Sequence, residues 1–153
     1  MIETVSLEGS TWNILPSKFE AGTPNIVGAI GLGEAFAFRG GLDLSQCLQH
    51  DRQLGLQLLE GLKEFPSVRV FCSPGDDWVG VVTLAHSSIH PHDLAAVCDG
   101  EQVCIRAGHH CAQPLMGILG VSATARVSPF IYNTEADIER FLLALRKAEK
   151  LFA

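Results

Sequence analysis

The sequence has 153 residues, and domains most often hold about 100 to 150 residues, so one domain over residues 1–153 is expected. Hydrophobic residues make up 47% and charged residues 18%, a mixture typical of globular proteins and unlike that of disordered or fibrous ones. The net charge is −6 and the 11 basic residues do not cluster, which argues against a partner such as nucleic acid or an anionic membrane.

The first predicted elements are a strand and a helix. The segment "IETVSL" alternates in polarity, which predicts a strand. Thr23 is a good N-cap, Pro24 suits the first helical position, and small apolar residues continue to Phe38, so a helix is predicted there. Three glycines in this helix lack the spacing of a dinucleotide fingerprint and are expected to let it pack closely: Gly28, Gly31 and Gly33.

The middle of the chain predicts a second helix followed by two strands. Asp43 can cap a helix that runs to about Lys63, with one stripe of leucines. The segments "SVRVFC" and "WVGVVTLA" are rich in β-branched residues and flank the turn "SPGDD", which predicts an antiparallel pair.

The last third predicts two further strands, "QVCIRA" and "ATARVS", and three helices. The helices are a short one capped by His90, one at "PLMGIL", and a final one that begins with a capping box of Thr134 and Asp137. Strands that follow one another as a meander, with helices against one face, predict the α+β class with a small antiparallel sheet.

The segment "RAGHHCAQPL" places Cys111 directly after two histidines. The thiolate is the reactive form of cysteine and is favoured near cationic groups or a helix N-terminus. Arg106, His109 and His110 precede this thiol, and the predicted helix at "PLMGIL" follows it. These flanks favour a nucleophile over the ordinary alternative, a small buried apolar side chain.

A zinc site is the competing interpretation of the same region, because imidazole and thiolate are the usual ligands of zinc. Adjacent histidines cannot easily face one ion, and no second cysteine stands at ligand spacing. We therefore expect no metal at the group His90, His92, His109, His110 and Cys111.

Two further places could bind a charged ligand. The Gly-Thr-Pro step of "FEAGTPN" predicts an anion site at Gly22 and Thr23, although Thr23 could simply cap its own helix. Arg126 lies in an otherwise apolar strand and needs a partner, because an unpaired buried charge is costly. That partner could be a ligand carboxylate gripped by the guanidinium or an internal acidic residue.

The N-terminal segment "MIETVSLEGS" has no basic and apolar signal, which favours a cytoplasmic protein. The cysteines are odd in number and form no C-x-x-C pair, so reduced thiols are expected: Cys47, Cys72, Cys98, Cys104 and Cys111.

Four segments, taken in order, resemble the C-terminal part of the group II cysteine desulfurases, the SufS-type and CsdA-type enzymes of iron–sulfur assembly. They are "SKFEAGTPNIVGAIGLGEA", "HPHDLA", "IRAGHHCAQPLM" and "ARVSPFIYNTEADI". The resemblance implies the small C-terminal domain of a fold-type I enzyme that uses pyridoxal phosphate (PLP) to take sulfur from L-cysteine, leaving alanine and an enzyme persulfide.

The resemblance also implies roles for individual residues. Cys111 would be the nucleophile that carries the persulfide, and Arg126 would hold the substrate carboxylate. Arg106 would help to position the substrate or the cysteine. Gly22 and Thr23 would reach across a homodimer to the cofactor phosphate of the other subunit, in agreement with the predicted anion site.

The PLP lysine of this family lies in an N-terminal large domain, and none of the four lysines of this chain matches it. We therefore expect the chain alone to be inactive, as half of an active site or as a truncated form of the enzyme. Its expected partners are a second copy of itself, a SufE-type or SufU-type sulfur acceptor, or a PLP-bearing N-terminal half. A non-enzymatic sulfur carrier or partner-binding module using Cys111 is the alternative, and a gene fragment without activity is a third possibility.

Overall fold

The computed structural model describes residues 1–152. These residues form two compact units, one over Met1–Asp43 and one that begins at Leu44. Within residues 1–152, no helix has both the length and the apolar character needed to cross a membrane.

The first unit contains an antiparallel strand pair and one helix. The strands are β1 (Ile2–Val5) and β2 (Ser10–Trp12), and the helix is α1 (Ile26–Gly40). The prediction of β1 is confirmed. The three-residue strand β2 was not predicted, because "EGSTW" has turn residues and no clear alternation.

The predicted start of helix α1 at Thr23 is wrong. Asn25 is the N-cap, and its side-chain oxygen accepts a hydrogen bond from the Gly28 N–H at 2.9 Å. Pro24 therefore precedes the cap and does not occupy the first turn. Close packing is not observed at Gly31 or Gly33, where an added side-chain carbon would meet no atom within 4 Å, and at Gly28 the nearest atoms belong to the cap residue Asn25.

The second unit contains a four-stranded antiparallel sheet whose strand order is β3-β4-β6-β5. The strands are β3 (Val68–Val70), β4 (Val82–His86), β5 (Arg106–Gly108) and β6 (Thr124–Val127). The predicted pairing of β3 with β4 is confirmed. The simple meander is wrong, because β6 lies between β4 and β5 and becomes an inner strand.

Four helices complete the second unit: α2 (Leu44–Leu62), α3 (Pro91–Gly100), α4 (Gln113–Leu119) and α5 (Glu135–Leu151). Helix α2 packs on β4, helix α3 packs on β5 and β6, and α5 packs on both helices. Two of the predicted caps are confirmed: His90 caps α3, and Asp137 accepts the Thr134 N–H at 2.8 Å in the capping box of α5. The α+β class is therefore confirmed.

The core of the second unit lies between the sheet and helices α2, α3 and α5. Its largest fully buried side chains come from all of these elements: Phe141, Leu54, Leu58, Leu84, Leu94, Leu145, Val82, Thr124 and Cys98. Thr124 and Val127 bury their side chains within β6, whereas Arg126 is only half-buried. The core thus fixes the inner strand that carries this arginine.

Candidate functional site

Cys111 lies in a short loop between strand β5 and helix α4 and is exposed. His110 and Cys111 have φ angles of 55° and 59°, in the left-handed region that few non-glycine residues adopt. Helix α4 follows at Gln113 and ends at Leu119, and its C-cap Gly120 has a φ of 69°. The loop therefore presents the thiol outward from two strained residues.

The guanidinium of Arg106 contacts the Cys111 thiol. Arg106 Nη2 lies 3.6 Å from Cys111 Sγ, close enough for a weak hydrogen bond to sulfur. The structure thus brings together the two residues that the sequence placed in one motif.

Arg126 lies directly opposite Arg106 in the β5–β6 ladder. Residues directly opposite in an antiparallel pair share one face of the sheet, and like charges in this position are unfavourable. Arg126 Nε is buried and has no hydrogen-bond partner. Among residues 1–152 no carboxylate forms an ion pair with Arg126, so the internal acidic partner considered above is not found.

His110 contacts the neighbouring strand β6. Its Nε2 lies 3.1 Å from the Thr124 carbonyl oxygen, and its Nδ1 is buried without a partner. Desolvation by burial lowers the pKa of His110, the Thr124 carbonyl raises it, and the cations Arg126 and Arg106 and the ring of His109 lower it further. The net shift is downward, which favours the neutral imidazole.

Arg106, His110 and Cys111 border an open depression with a volume of about 510 Å³, and Arg126 is not part of its lining. Its lining combines the cysteine loop with the first turn of α4: Arg106, Ala107, His109, His110, Cys111, Gln113 and Pro114. The depression is polar and cationic, so it suits a small anionic ligand within reach of a thiol.

The histidines do not assemble a metal site in the described part of the chain. His90 and His92 pack edge to face, with ring centroids 5.1 Å apart. Within residues 1–152, no group of three or more His, Cys, Asp and Glu side chains could hold a metal ion.

Gly22 and Thr23 lie in the first unit, in the exposed segment before α1. Gly22 has a φ of 75°, and a side chain at this position would meet nothing within 4 Å. Because Asn25 caps the helix, Thr23 is not used as a cap, and its hydroxyl has no hydrogen-bond partner within residues 1–152. An open glycine and a free hydroxyl fit the phosphate end of a cofactor.

Comparison with known proteins shows the family. The family description "Aminotransferase class-V" matches residues 1–141. A probable cysteine desulfurase of Staphylococcus epidermidis is 44% identical over 153 residues, which are 100% of this chain and 37% of that protein. A probable cysteine desulfurase of Staphylococcus aureus is 42% identical over the same length and coverage.

Solved structures agree with this assignment. The cysteine desulfurase CsdA from Escherichia coli, in an S-sulfonic acid form, has a TM-score of 0.84 and 33% identity over 100% of this chain and 38% of its own. The apo cysteine desulfurase from Thermococcus onnurineus NA1 has a TM-score of 0.78 and 38% identity over 99% of this chain and 37% of its own.

The chain therefore belongs to the class V aminotransferase family, whose members use PLP, and its relatives are cysteine desulfurases. The resemblance read from the four segments is confirmed. The chain spans about 37% of the length of the curated relatives that it matches.

The contact of His110 with β6 was not predicted from the sequence. The adjacent histidines were read as cations beside the thiol or as metal ligands, and no local pattern indicates which of the two rings contacts the sheet. The left-handed backbone at His110 and Cys111 was equally hidden, because neither residue is glycine or asparagine.

Proposed function

We propose that this chain is the sulfur-accepting C-terminal part of a PLP-dependent cysteine desulfurase. The observation that carries the proposal is the exposed Cys111 thiol at 3.6 Å from Arg106, beside an Arg126 without an acidic partner in residues 1–152. The site offers a nucleophile in the loop after the edge strand β5 and a candidate carboxylate-binding cation on the neighbouring inner strand β6. Sulfur removal from an amino acid uses both groups, the first to accept sulfur and the second to hold the substrate.

Arg126 is the proposed ligand for the carboxylate of L-cysteine. Its Nε has no protein partner, and a carboxylate can accept two parallel hydrogen bonds from a guanidinium. A bound carboxylate would also relieve the repulsion between Arg126 and Arg106 across the ladder. Arg106 is the proposed positioning residue for the Cys111 thiolate.

Cys111 performs the proposed sulfur transfer. Its thiolate attacks the sulfur of L-cysteine, a new S–S bond forms, and the C–S bond of the substrate breaks. The electron pair of that bond stays with the substrate carbon, which becomes alanine after protonation. The product on the chain is a Cys111 persulfide, which can be passed on by thiol exchange without release of free sulfide.

Gly22 and Thr23 are the proposed contacts for the PLP phosphate, through the main chain at the open glycine and the free threonine hydroxyl. When bound, PLP supplies the electron sink that makes C–S cleavage possible. The chain's lysines are Lys18, Lys63, Lys147 and Lys150, and none lines the depression at Cys111. We therefore assign the Schiff-base lysine to a segment or chain outside this sequence.

The proposed setting is cytoplasmic iron–sulfur assembly, with a SufE-type or SufU-type protein as the sulfur acceptor. The exposed thiol supports this assignment, because direct transfer requires a second protein to reach the persulfide. A second copy of the chain is also a proposed partner, since helix α1 buries none of its apolar residues.

The test is reconstitution with the PLP-bearing half of the Staphylococcus epidermidis relative, cut where its similarity to this chain begins. Cysteine-dependent alanine formation is measured with the wild-type chain, with Cys111→Ala, and with Cys104→Ala as the matched control at another exposed thiol. The proposal predicts alanine formation that is lost only in the Cys111 variant. Equal activity of all three chains would contradict it.

A sulfur carrier that is not itself part of an enzyme is the second candidate. The absence of a lysine from the lining of the depression favours it, together with the exposed thiol. In that case Cys111 would accept sulfur from a complete, separate desulfurase, while the reconstituted mixture would form no alanine. Alanine formation by the wild-type chain in the reconstituted mixture separates the first candidate from this one, and persulfide formation on Cys111 with a complete desulfurase tests this one.

A further inference from the structure

The loop at His110 and Cys111 needs a contact that holds its conformation. Two consecutive non-glycine residues adopt left-handed φ angles of 55° and 59°, a conformation that persists only where surrounding contacts impose it. Cys111 is exposed and so has few neighbours that could fix it. The restraint has to come from a residue beside it.

The side chain of His110 provides that restraint. Its Nε2 lies 3.1 Å from the carbonyl oxygen of Thr124, a fully buried residue of the inner strand β6. A carbonyl only accepts hydrogen bonds, so Nε2 carries the proton and donates it. The buried Nδ1, which has no partner, is then the unprotonated nitrogen.

Arg106 and Cys111 are thereby both held in position by contacts with the same strand, β6. Arg106 is placed by the β5–β6 ladder, where it pairs with Arg126 and where Gly108 pairs with Thr124. Cys111 is placed through the bond from its neighbour His110 to the Thr124 carbonyl. The separation of 3.6 Å between guanidinium and thiol depends on both connections.

We propose that His110 is the positioning residue that holds the Cys111 thiol beside the Arg106 guanidinium, by donating its Nε2–H to the Thr124 carbonyl. This role rests on the proposed function, because it concerns the thiol that would accept sulfur. His110 acts through Cys111 and takes no part in bond making. His109, which is exposed, is the neighbouring imidazole without this role.

The charges around His110 disfavour a second proton on its ring, so the ring stays a donor through Nε2–H alone. Arg106 on β5, Arg126 on β6 and the adjacent His109 all oppose a second positive charge at this ring, and burial opposes it most. A proton on Nδ1 would also find no acceptor in the present arrangement. Burial and these charges therefore favour the neutral imidazole, with its Nε2–H donated to the Thr124 carbonyl.

The experiment measures the rate at which iodoacetamide alkylates Cys111 in the purified chain, resolved by cysteine with mass spectrometry. Arg106→Gln is introduced into the wild type and into His110→Ala, His110→Gln and His109→Ala, and each of these backgrounds is also measured with Arg106 intact. The glutamine at position 110 keeps an N–H donor of similar reach, and His109→Ala is the matched control. Exposed Cys104 serves as the internal reference for general reactivity.

The proposal predicts that Arg106→Gln slows Cys111 alkylation by about threefold or more in the wild-type, His109→Ala and His110→Gln backgrounds, as expected for coupled neighbours. In His110→Ala the same substitution should change the rate by less than about 1.5-fold, because the thiol is no longer held beside the arginine. A role of His110 in stability alone would not produce this pattern.

An equal effect of Arg106→Gln in the His110→Ala background, or no effect in the wild type, would overturn the proposal. If His110→Ala does not fold, as judged by circular dichroism, His110→Gln against His110→Leu makes the same comparison with a side chain that fills the site. Alkylation does not involve sulfur transfer. Coupling without persulfide formation would therefore refute the proposed function and leave this inference standing.

Discussion

Arg106 and Arg126 face each other across the β5–β6 ladder, and Arg126 Nε is buried without a partner. Placing two guanidiniums on one face of a sheet costs stability unless an anion lies near them. Within residues 1–152 no carboxylate pairs with Arg126. This arrangement supports the proposal that the pair binds an anionic ligand.

Replacing Arg126 should separate stability from function. In Arg126→Met we expect the free energy of unfolding to stay unchanged or to rise by about 0.2 to 1 kcal/mol, because a like-charged cross-strand pair is removed. Alanine formation in the reconstituted mixture should fall by at least about tenfold, because the carboxylate loses its charged partner. Urea unfolding and alanine assays measure the two effects.

Arg126→Lys is the control, because lysine keeps the positive charge but lacks the planar guanidinium that can donate two parallel hydrogen bonds. It should retain more activity than the methionine variant. A loss of more than about 2 kcal/mol in Arg126→Met would instead show that the arginine stabilises the sheet.

The lowered pKa of His110 should make the stability depend on pH. Because the unfolded chain binds a proton near the usual pKa of 6.5 and the folded chain binds it only at lower pH, stability is full above 6.5 and falls as the pH decreases below it. His110→Gln removes this group and should flatten that part of the profile. Urea unfolding from about pH 5 to pH 8 measures the difference.

The profile of His110→Gln is subtracted from that of the wild type, because other groups titrate in both proteins and cancel in the difference. Parallel curves for wild type and His110→Gln would contradict a His110 pKa that is lowered by burial and by nearby cations.

Glycines in the two units should respond in opposite ways to alanine. Gly80 is buried, has a φ of 81°, and packs against the main chain at Asp51, so Gly80→Ala should lower the free energy of unfolding by about 2 to 4 kcal/mol. Gly31 lies within helix α1 with open space around it, so Gly31→Ala should be neutral or stabilising by up to about 1 kcal/mol.

Thermal and urea unfolding of both variants provide the measurement. A Gly80→Ala protein as stable as wild type would show that the loop at Gly80 moves away from helix α2 without cost, and would contradict the close approach described here.

The contacts at Gly80 and the loop conformation at Cys111 could not be predicted from the sequence, because they depend on tertiary structure. The capping box at Thr134, the cap at His90 and the thiol motif were predicted, because their signals are local. The position of β6 between β4 and β5 depends on pairing between segments that are distant in sequence. The start of α1 was missed because Thr23 and Asn25 are both good caps, and only the observed bond to Gly28 decides between them.

Helix α1 should cause association of the chain. All of its residues are exposed within the described chain, including Ile30 and Phe36, and exposed apolar surface of this extent drives association. We expect a dimer or a higher oligomer in sedimentation velocity. Ile30→Glu should weaken the association, whereas Leu143→Glu, at a comparably exposed position on α5, should have little effect. A monomer at all concentrations would contradict this expectation.

The central claim is that Cys111 accepts sulfur from L-cysteine, and the most direct measurement is site-resolved labelling of the chain with radioactive sulfur. The reconstituted mixture receives L-cysteine labelled in its sulfur or, separately, in its carbon atoms, and the cysteine peptides are separated without reduction. The account predicts reductant-sensitive sulfur label on the Cys111 peptide, no carbon label there, and no transfer to Cys104 in Cys111→Ser. Sulfur label that is absent from Cys111, or that moves to another cysteine at an equal level in Cys111→Ser, would contradict it.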